Sequence, residues 1–322
     1  MIDCVNKLPL RLSIVFLNYN RLEDTILTLS VLERFCRKRR DIEVIAVDNG
    51  SSDGTRNFLS SHLDWITAVF LDSNMGIEGL NMGFSKACGD YILVLDDDSH
   101  PLNEVTLELL IDRFDQNEKT GIIACRIESK NGDPQRSWHL PEMDEMGESL
   151  AFVGCGFAVR RTLFERIGWF PGNFFLYQNE IDVAIKVVRD GFEVIYDPMC
   201  RVVHRNSPAG RAHWRQVFFP TRNTIWLLRR YAQTPELLYY VFSRICFGFI
   251  RAVQSSEYVY FLSSLWQGLT ADIDKITLSR SDYRRFMPLW HQNSIFHHLH
   301  YFYIDVLVRQ RVKMQARKMR VT

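Results

Sequence analysis

Short apolar runs alternate with helix-like segments along roughly the first two hundred of the 322 residues of this chain. Each run has the length of a buried strand, and the segments between the runs repeat apolar residues at helical spacing. Such alternation predicts an α/β fold with a doubly wound, mostly parallel sheet. The predicted strands are Leu12–Leu17, Ile42–Val47, Ile66–Leu71, Tyr91–Leu95, Ile122–Cys125, Phe192–Tyr196 and Arg201–His204, and the predicted helices are Leu22–Cys36, Asp53–His62, Leu80–Cys88, Leu102–Asp115, Thr162–Ile167 and Glu180–Arg189.

The composition changes after Pro208, where strand signals end and Leu, aromatic residues and Arg become frequent. We therefore expect an α/β domain over residues 1–207, followed by a C-terminal helical region over residues 208–322. The predicted helices of that region are Trp214–Tyr231, Pro235–Gln254, Tyr258–Ala271 and Ser294–Met319.

Charge and cysteine usage narrow the classes of function. The formal net charge is +1, so no global field attracts nucleic acid, and we expect no nucleic-acid partner. Seven dispersed cysteines without a C-x-x-C pair indicate reduced thiols and a cytoplasmic location. No stretch approaches the ~18 uncharged apolar residues of a membrane-spanning helix, because the best candidate contains Arg244 and Arg251.

Three consecutive carboxylates, Asp96, Asp97 and Asp98, follow the apolar run Tyr91–Leu95. Ligands of open α/β sheets bind at the carboxyl ends of the strands. Buried carboxylates need a cationic partner, and oxygen ligands suit Mg²⁺ or Mn²⁺, which commonly bridge protein carboxylates and phosphates. A solvated acidic turn that caps the next helix is the alternative interpretation.

Two further segments have the composition of ligand-binding loops. Asp48 ends a predicted strand, and its carboxylate would accept a hydrogen bond from a nucleobase N–H; a plain strand-to-helix turn uses the same residues. The segment Asn74–Gly83 is a glycine-bearing loop that opens a helix, where phosphates bind. Its glycine spacing matches neither G-x-G-x-x-G nor a Walker loop, which disfavours a dinucleotide or ATP site.

The order of these motifs resembles that of glycosyltransferase family 2. The matching segments are Val15–Arg21, the Asp48 turn, Asn74–Gly83, Gly89–Asp98, Gly154–Arg161, Phe174–Asp182 and Val202–His204. The resemblance covers about residues 10–205. It implies a GT-A fold, a nucleotide-sugar donor, a divalent metal and inversion at the anomeric carbon.

The resemblance also assigns roles to individual positions. It implies a nucleotide pocket, a donor-binding loop and a metal site at the end of the fourth strand. These sites comprise Tyr19, Asn20, Arg21 and Asp48 for the nucleotide, Asn74, Gly76, Asn81 and Asp96 for the donor, and Asp96, Asp98 and His204 for Mg²⁺ or Mn²⁺. A buried, hydrogen-bonded core histidine is the alternative for His204.

The resemblance places the catalytic base at Glu180. At the preceding position this chain has Asn179, where relatives often carry an acid. Glu180 and Asp182 are about 200° apart on a helix, so both cannot face one atom. We expect Asn179 to be the N-cap, Asp182 to lie in the first turn and Glu180 to face the site. In the alternative interpretation, both acids only stabilise the helix dipole.

The helical region has several interpretations. It is a subdomain that packs its own core, a dimer interface, or a platform on the cytoplasmic face of a membrane. The segment 237–251 mixes apolar bulk with arginines and aromatic residues, which is typical of interfacial helices. The basic segment 309–320 would add attraction to anionic lipid.

The predicted function is a non-processive, metal-dependent glycosyltransferase of surface polysaccharide synthesis. Its expected partners are a UDP- or dTDP-linked sugar and a glycan or lipid-linked acceptor. A processive synthase is disfavoured because no Gln-x-x-Arg-Trp segment occurs. A nucleotidyltransferase of sugar activation and a non-catalytic glycan- or nucleotide-binding scaffold are the alternatives.

Overall fold

The computed structural model describes residues 9–135, 137, 140–141, 143–207, 212–233, 236–292 and 294–300. The chain divides into two compact units, the first ending at Ala212 and the second beginning at His213. Strands occur in the first unit and helices in both. The strands are β1 (Leu12–Asn18), β2 (Ile42–Asp48), β3 (Thr67–Phe70), β4 (Tyr91–Asp96), β5 (Ser99–Pro101), β6 (Thr120–Glu128), β7 (Gly147–Glu148), β8 (Gly156–Arg160) and β9 (Glu193–His204).

The described strands of the first unit form one sheet, in the order β3-β2-β1-β4-β8-β6-β9-β5, with β7 also paired to β9. Its helices are α1 (Leu22–Cys36), α2 (Thr55–Ser60), α3 (Glu78–Phe84), α4 (Glu104–Gln116), α5 (Arg161–Arg166) and α6 (Asn179–Arg189), with a short 3₁₀ turn at Gly172–Phe174. Strands β1 to β4 run parallel, as does the pair β6–β9. Strand β8 is antiparallel to both of its neighbours. The predicted doubly wound α/β architecture is confirmed.

The central strands are buried on both faces. In β1 and β4 almost every side chain is buried, so their sequences are continuous apolar runs rather than alternating ones. The register pairs Asn18 of β1 with Asp48 of β2, and Leu17 with Asp96 of β4. The polar ends of these strands therefore lie at one edge of the sheet.

Several local predictions differ from the structure. The two strands expected at 192–196 and 201–204 form one strand, β9, whose pairing with β6 shifts register between Cys125 and Arg126. Asn20 and Glu23 have the spacing of a capping box, but Arg21 is the N-cap residue of α1 and makes no side-chain cap. Instead, the Leu22 N–H of α1 donates to Asp53 Oδ2 from another loop.

Cysteine bonding also departs from the prediction. Cys36, Cys125, Cys155, Cys200 and Cys246 are free. Cys88, by contrast, is disulfide-bonded, so the expectation of reduced thiols throughout is wrong. Cysteine usage therefore gives no support for a cytoplasmic location.

The second unit is helical over its described residues. Its helices are α7 (His213–Tyr231), α8 (Glu236–Ser255), α9 (Tyr258–Thr270) and α10 (Arg280–Gln292). The sequence did not predict α10, which contains Pro288 and is rich in charged residues. Most of the predicted helix Ser294–Met319 lies outside the described residues. None of the described helices has the length and apolarity needed to cross a bilayer.

Candidate active site

Asp48 closes β2 at the sheet edge and is fully buried. Its Oδ1 accepts a hydrogen bond from the Ser51 N–H at 3.1 Å, and Arg56 Nε lies 3.4 Å from Oδ2. That buried Oδ2 accepts no hydrogen bond from the described residues. Since a buried carboxylate oxygen is costly without a donor, the arrangement suits a ligand N–H. Tyr19, which follows β1, is partly exposed at the same edge.

Asn20 joins the loop after β1 to the Asp48 turn. Its backbone lies in the left-handed region at φ 52°, which asparagine tolerates better than most residues. Its N–H donates to Ser51 Oγ at 3.0 Å, and its Oδ1 accepts from the Ser52 N–H at 2.7 Å. Asn20 therefore fixes the turn after β2 through its hydrogen bonds to Ser51 and Ser52.

The acidic turn between β4 and β5 is fixed from several sides. Ser99 Oγ accepts from the Asp96 N–H at 2.8 Å and donates to the Cys155 carbonyl at 2.8 Å. Thr28 Oγ1 of α1 donates to the Asp97 carbonyl at 2.6 Å. Asp97 is buried, whereas Asp96 is partly exposed. The turn is rigid before any ligand arrives.

Arg21 and His204 bring nitrogen atoms to the carboxylates of this turn. Arg21 Nη1 lies 2.9 Å from Asp97 Oδ1 and 3.4 Å from Asp98 Oδ2. His204, the last residue of β9, brings Nε2 to 3.2 Å from Asp98 Oδ1. Asp98 Oδ2 also accepts from the Ser207 N–H at 2.8 Å. The predicted nucleotide residue Arg21 therefore binds the acidic turn directly.

The neighbouring carboxylates have opposite pKa shifts. Burial raises the pKa of Asp97 to about 7, although Arg21 opposes the shift. Burial also acts to raise the pKa of Asp98, but the contacts from His204, the Ser207 N–H and Arg21 outweigh it and lower the pKa to about 2. Asp98 is thus ionised at neutral pH.

The residues of this turn fit a divalent cation. Single ligand atoms of Asp96, Cys155 and His204 lie within 4.8 Å of one another, and Asp98 contacts His204. The carboxylate ligands match Mg²⁺ or Mn²⁺. Burial raises the pKa of the Cys155 thiol far above its usual value, so the sulfur stays protonated and is a poor ligand for these hard cations.

Asn74 and Gly76 build the loop before α3. Asn74 Oδ1 accepts from the Gly76 N–H at 2.8 Å and from Asn49 Nδ2 at 3.1 Å. Asn49 Oδ1 in turn accepts from the Met75 N–H at 2.9 Å. Asn49 is not among the predicted site residues, although an asparagine directly after a strand end often hydrogen-bonds to the backbone of a nearby loop.

The same loop packs against the chain that precedes α6. Gly76 has φ 60°, and a Cβ there would lie 2.3 Å from the Phe175 carbonyl oxygen, so only glycine fits. The Ile77 N–H donates to that oxygen at 2.8 Å. Asn81 uses both side-chain groups on the backbone of Phe170, at 3.0 and 3.2 Å. Asn81 therefore holds the loop in place through the backbone of Phe170.

Glu180 is the second residue of α6 and is partly exposed. A Cβ on Gly154 would lie 2.8 Å from Glu180 Oε1, so glycine admits the carboxylate beside β8. Burial of the carboxyl group raises the pKa of Glu180 to about 7, and the nearby Asp96 carboxylate adds to the shift. Hydrogen bonds from the N–H groups of Glu180 and Gly154 oppose it. A carboxylate with this pKa is suited to act as a general base.

The other polar residues of α6 point elsewhere. The expectation that Asn179 is the N-cap is wrong, because the helix begins at Asn179 and Gln178 precedes it in the left-handed region at φ 67°. Asn179 is buried, and its Nδ2 lacks a hydrogen-bond acceptor among the described residues. Asp182 is fully buried beside Lys186, with Nζ 2.8 Å from Oδ2. Glu180 is thus the acid of this helix that borders the carboxylate turn.

The sequence profile of glycosyl transferase family 2 matches residues 13–185, which is more than half of the chain. The chain belongs to glycosyl transferase family 2. The match contains β1 to β4, the acidic turn and Glu180. The chain is accordingly a glycosyltransferase, as its motif order predicted.

Relatives of this family-2 chain act on different glycans. It is 21% identical to the O-antigen chain rhamnosyltransferase WbaN of Salmonella anatum over 55% of this chain and 60% of the relative, so it spans well under two thirds of that protein. It is 25% identical to the low-salt glycan biosynthesis hexosyltransferase Agl10 of Haloferax volcanii over 66% of this chain and 73% of the relative.

Solved structures share the fold of this family-2 chain. The mannosyltransferase PcManGT of Pyrobaculum calidifontis, in complex with GDP-Man and Mn²⁺, aligns over 81% of this chain and 76% of its own at a TM-score of 0.55 and 18% identity. S. aureus TarS 1-349 in complex with UDP-GlcNAc aligns over 88% and 87% at a TM-score of 0.57 and 15% identity. The GT-A fold is confirmed.

Proposed function

We propose that the chain is an inverting, metal-dependent transferase that moves a sugar from a nucleotide-diphosphate donor to a hydroxyl of a glycan or lipid-linked acceptor. The observation that supports this most strongly is the position of Glu180, a carboxylate with a pKa of about 7 beside the carboxylate turn. Carboxylates with perturbed pKa values cluster at functional sites, and this one also lies at the residues that would hold the cation.

Glu180 acts on the acceptor. It removes the proton from the attacking hydroxyl while the acceptor oxygen bonds to the anomeric carbon. The bond between that carbon and the diphosphate oxygen breaks, and the leaving group keeps the electron pair. One displacement inverts the anomeric configuration. General-base assistance of this kind contributes about 10²- to 10⁴-fold in rate.

The carboxylate turn receives the diphosphate end of the donor. Asp96, Asp98 and His204 would hold Mg²⁺ or Mn²⁺, and a divalent cation bound there would neutralise the charge that develops on the diphosphate. Asp98 is fitted to this task because its pKa of about 2 keeps it ionised. Arg21 balances the remaining carboxylate charge through Asp97.

The nucleotide and the sugar occupy the neighbouring loops. The buried Asp48 Oδ2 accepts the ring N–H of uracil or thymine, which supports a UDP- or dTDP-linked donor. Asn20 and Tyr19 form the pocket edge. Asn74 and Gly76 shape the loop that faces the sugar, and Asn81 anchors it. The transferred group is a hexosyl or deoxyhexosyl unit, as the names of the curated relatives suggest.

In this proposal, the second unit binds an anionic membrane surface that also holds the acceptor. Outward-facing apolar side chains repeat along α9 at Val259, Leu262, Trp266 and Leu269, with 78%, 63%, 71% and 47% of their surface exposed. Apart from Glu236, α8 and α9 contain no acid, and α8 carries the exposed Arg251. Exposed apolar side chains together with a cation are typical of helices that lie on anionic lipid, which is the partner that we propose.

This proposal assigns residues 208–322 to acceptor and membrane contact and residues 1–207 to catalysis. A location at the cytoplasmic face of the cell membrane follows from the donor, because nucleotide sugars and lipid carriers meet there. A role in surface polysaccharide synthesis agrees with the O-antigen relative.

The experiment is a screen of nucleotide sugars with and without Mn²⁺. We expect one UDP- or dTDP-sugar to be slowly hydrolysed only when the metal is present, and transferred once a glycan or lipid-linked acceptor is added. NMR coupling constants of the product give its anomeric configuration, which we expect to be opposite to that of the donor. A retained configuration would refute inversion, and no turnover of any donor would favour the scaffold.

A further inference from the structure

The loop that follows β6 turns back towards the carboxylate turn. After Glu128 the chain makes a tight turn in which the Ser129 N–H donates to the Asp133 carbonyl at 2.8 Å. The Gln135 N–H then donates to the Ile127 carbonyl at 2.8 Å. Gln135 is thereby tied by its backbone to the last residues of β6.

Strand β6 runs parallel to β9, with Glu128 opposite Val203. The end of β6 and the end of β9 therefore coincide, and Gln135 meets His204. The carboxamide of Gln135 contacts His204 twice: Nε2 donates to the His204 carbonyl at 2.8 Å, and Oε1 lies 3.1 Å from His204 Nδ1.

These two contacts fix the proton on the imidazole. A carbonyl oxygen only accepts, so the amide nitrogen of Gln135 must face the His204 carbonyl. The amide oxygen then faces Nδ1, and because that oxygen also only accepts, Nδ1 must carry a hydrogen. In the neutral ring, Nε2 consequently has the free lone pair. That atom lies 3.2 Å from Asp98 Oδ1. Without metal, a protonated Nε2 would donate to this oxygen, and a divalent cation would take the place of that proton.

We propose that Gln135 is a positioning residue that selects the Nδ1–H tautomer of His204 and so presents Nε2 to the divalent cation. The inference rests on the proposed metal site and adds to it a residue outside the motifs that define the family resemblance. Partners of this kind fix the ring orientation of a ligating histidine, and their loss typically weakens metal affinity about 10- to 100-fold.

The test measures Mn²⁺ affinity directly, by electron paramagnetic resonance of the free ion, in the full chain without nucleotide. We expect Gln135→Met, which removes both contacts at similar volume, to weaken binding about 10- to 100-fold. Gln135→Glu should keep more affinity than Gln135→Met, because one carboxylate oxygen still accepts from Nδ1–H although the other no longer donates to the His204 carbonyl. Gln116→Met on the exposed side of α4 is the control and should bind Mn²⁺ like wild type.

A second readout tests the inference in the wild type itself. In the metal-free wild type at alkaline pH, ¹⁵N NMR of the His204 ring should show the hydrogen on Nδ1, and Gln135→Met should populate the Nε2–H tautomer. Hydrogen on Nε2 in the wild type would overturn the inference. So would wild-type Mn²⁺ affinity in Gln135→Met when His204→Ala binds weakly.

Failure of the proposed function gives a different pattern. If the wild type, Asp98→Asn and His204→Ala all bind Mn²⁺ equally weakly, the metal site itself is refuted, and the inference with it. If Asp98→Asn loses Mn²⁺ while His204→Ala and Gln135→Met keep it, the metal site stands and only the inference is overturned.

Discussion

The two units of this glycosyltransferase handle charge in opposite ways. At the sheet edge of the first unit, Arg21 lies within 3.4 Å of the carboxylates of both Asp97 and Asp98. In the second unit, the guanidinium of Arg222 lies on aromatic rings, 4.2 Å from the centre of Trp226, and donates to the side-chain oxygens of Asn223 and Gln267.

This difference indicates different tasks. Under the proposed function, charges already paired around the turn would need little reorganisation when a cation and a diphosphate bind. Helices that contain arginines and exposed apolar side chains, but almost no acids, suit an anionic partner outside the molecule. The predictions below test each side of the comparison, beginning with the largest effect.

The largest effect is expected at Glu180. Glu180→Gln removes the proton acceptor, so kcat should fall about 10²- to 10⁴-fold while the affinity for nucleotide sugar is retained. Steady-state kinetics and calorimetric donor titration measure the two quantities. Glu165→Gln on the exposed side of α5 is the matched control. Normal turnover in Glu180→Gln would remove this residue from the role of base.

The pH profile follows from the raised pKa of Glu180. The base must be ionised, so kcat/KM should rise about tenfold per pH unit up to about pH 7 and then level off. Asp98, with a pKa of about 2, stays ionised over this range and does not set the acid limb. A profile that is flat between pH 5 and pH 8 would contradict the assignment.

The same shift has a consequence for stability. Because folding raises the pKa of Glu180 from 4.5 to about 7, its contribution to stability is complete below pH ~4.5 and is lost as the pH rises through about 7. At pH 8, the free energy of unfolding of Glu180→Gln should therefore exceed that of wild type by on the order of 1 kcal/mol, after allowance for partial exposure, and the variant should melt at a higher temperature. Near pH 4 the two proteins should melt at the same temperature. Equal melting temperatures at pH 8 would mean that the carboxylate is well solvated.

In the second unit, the expected effect of changing Arg222 is on stability. Arg222→Lys loses the planar stacking on Trp226 and the paired hydrogen bonds, and should lower the free energy of unfolding by about 2 kcal/mol. Arg222→Met keeps the volume and removes a costly buried charge, so it should destabilise less. Chemical denaturation compares both with Arg280→Met at an exposed position. A milder loss in the lysine variant would contradict the stacking argument.

The smallest effect concerns membrane contact. Trp266→Ser removes one exposed ring from the α9 stripe and should lower co-sedimentation with anionic vesicles several-fold, whereas neutral vesicles should bind little of either protein. Thr270→Ser, at the exposed end of the same helix, should bind like wild type. Vesicle binding unchanged by Trp266→Ser, or a wild type that dimerises through this face in solution, would favour another partner.

The sequence predicted what local patterns encode. The apolar runs gave β1, β2 and β4 to within a residue, and the carboxylates after Tyr91–Leu95 do lie in a turn at the sheet edge. Partners that are distant along the chain were not predicted. Gln135 contacts His204 because β6 and β9 end at the same edge of the sheet. The residues around Gln135 contain no pattern from which the pairing of these two strands could be predicted.

The cap of α1 shows the same limit. Asn20 and Glu23 have capping-box spacing, but the backbone of Asn20 is left-handed and its side chain accepts a hydrogen bond from the Ser52 N–H. Asp53 caps the helix instead, by accepting from the Leu22 N–H. The helix α10 was not predicted, because Pro288 and several charged residues interrupt the helical spacing of its apolar residues. The role of Glu180 came from motif order, and the structure adds the burial that accounts for its pKa.

Donor binding with and without Mn²⁺ tests the central claim most directly, namely that the rim carboxylates hold a cation which in turn binds the diphosphate. Isothermal titration of UDP and dTDP into wild type and Asp98→Asn makes the comparison, with Asp112→Asn on the outer side of α4 as the control. We predict that Mn²⁺ strengthens binding at least tenfold in wild type and in the control, and not in Asp98→Asn. Equal affinity for either nucleotide in all three proteins, with or without Mn²⁺, would contradict the account.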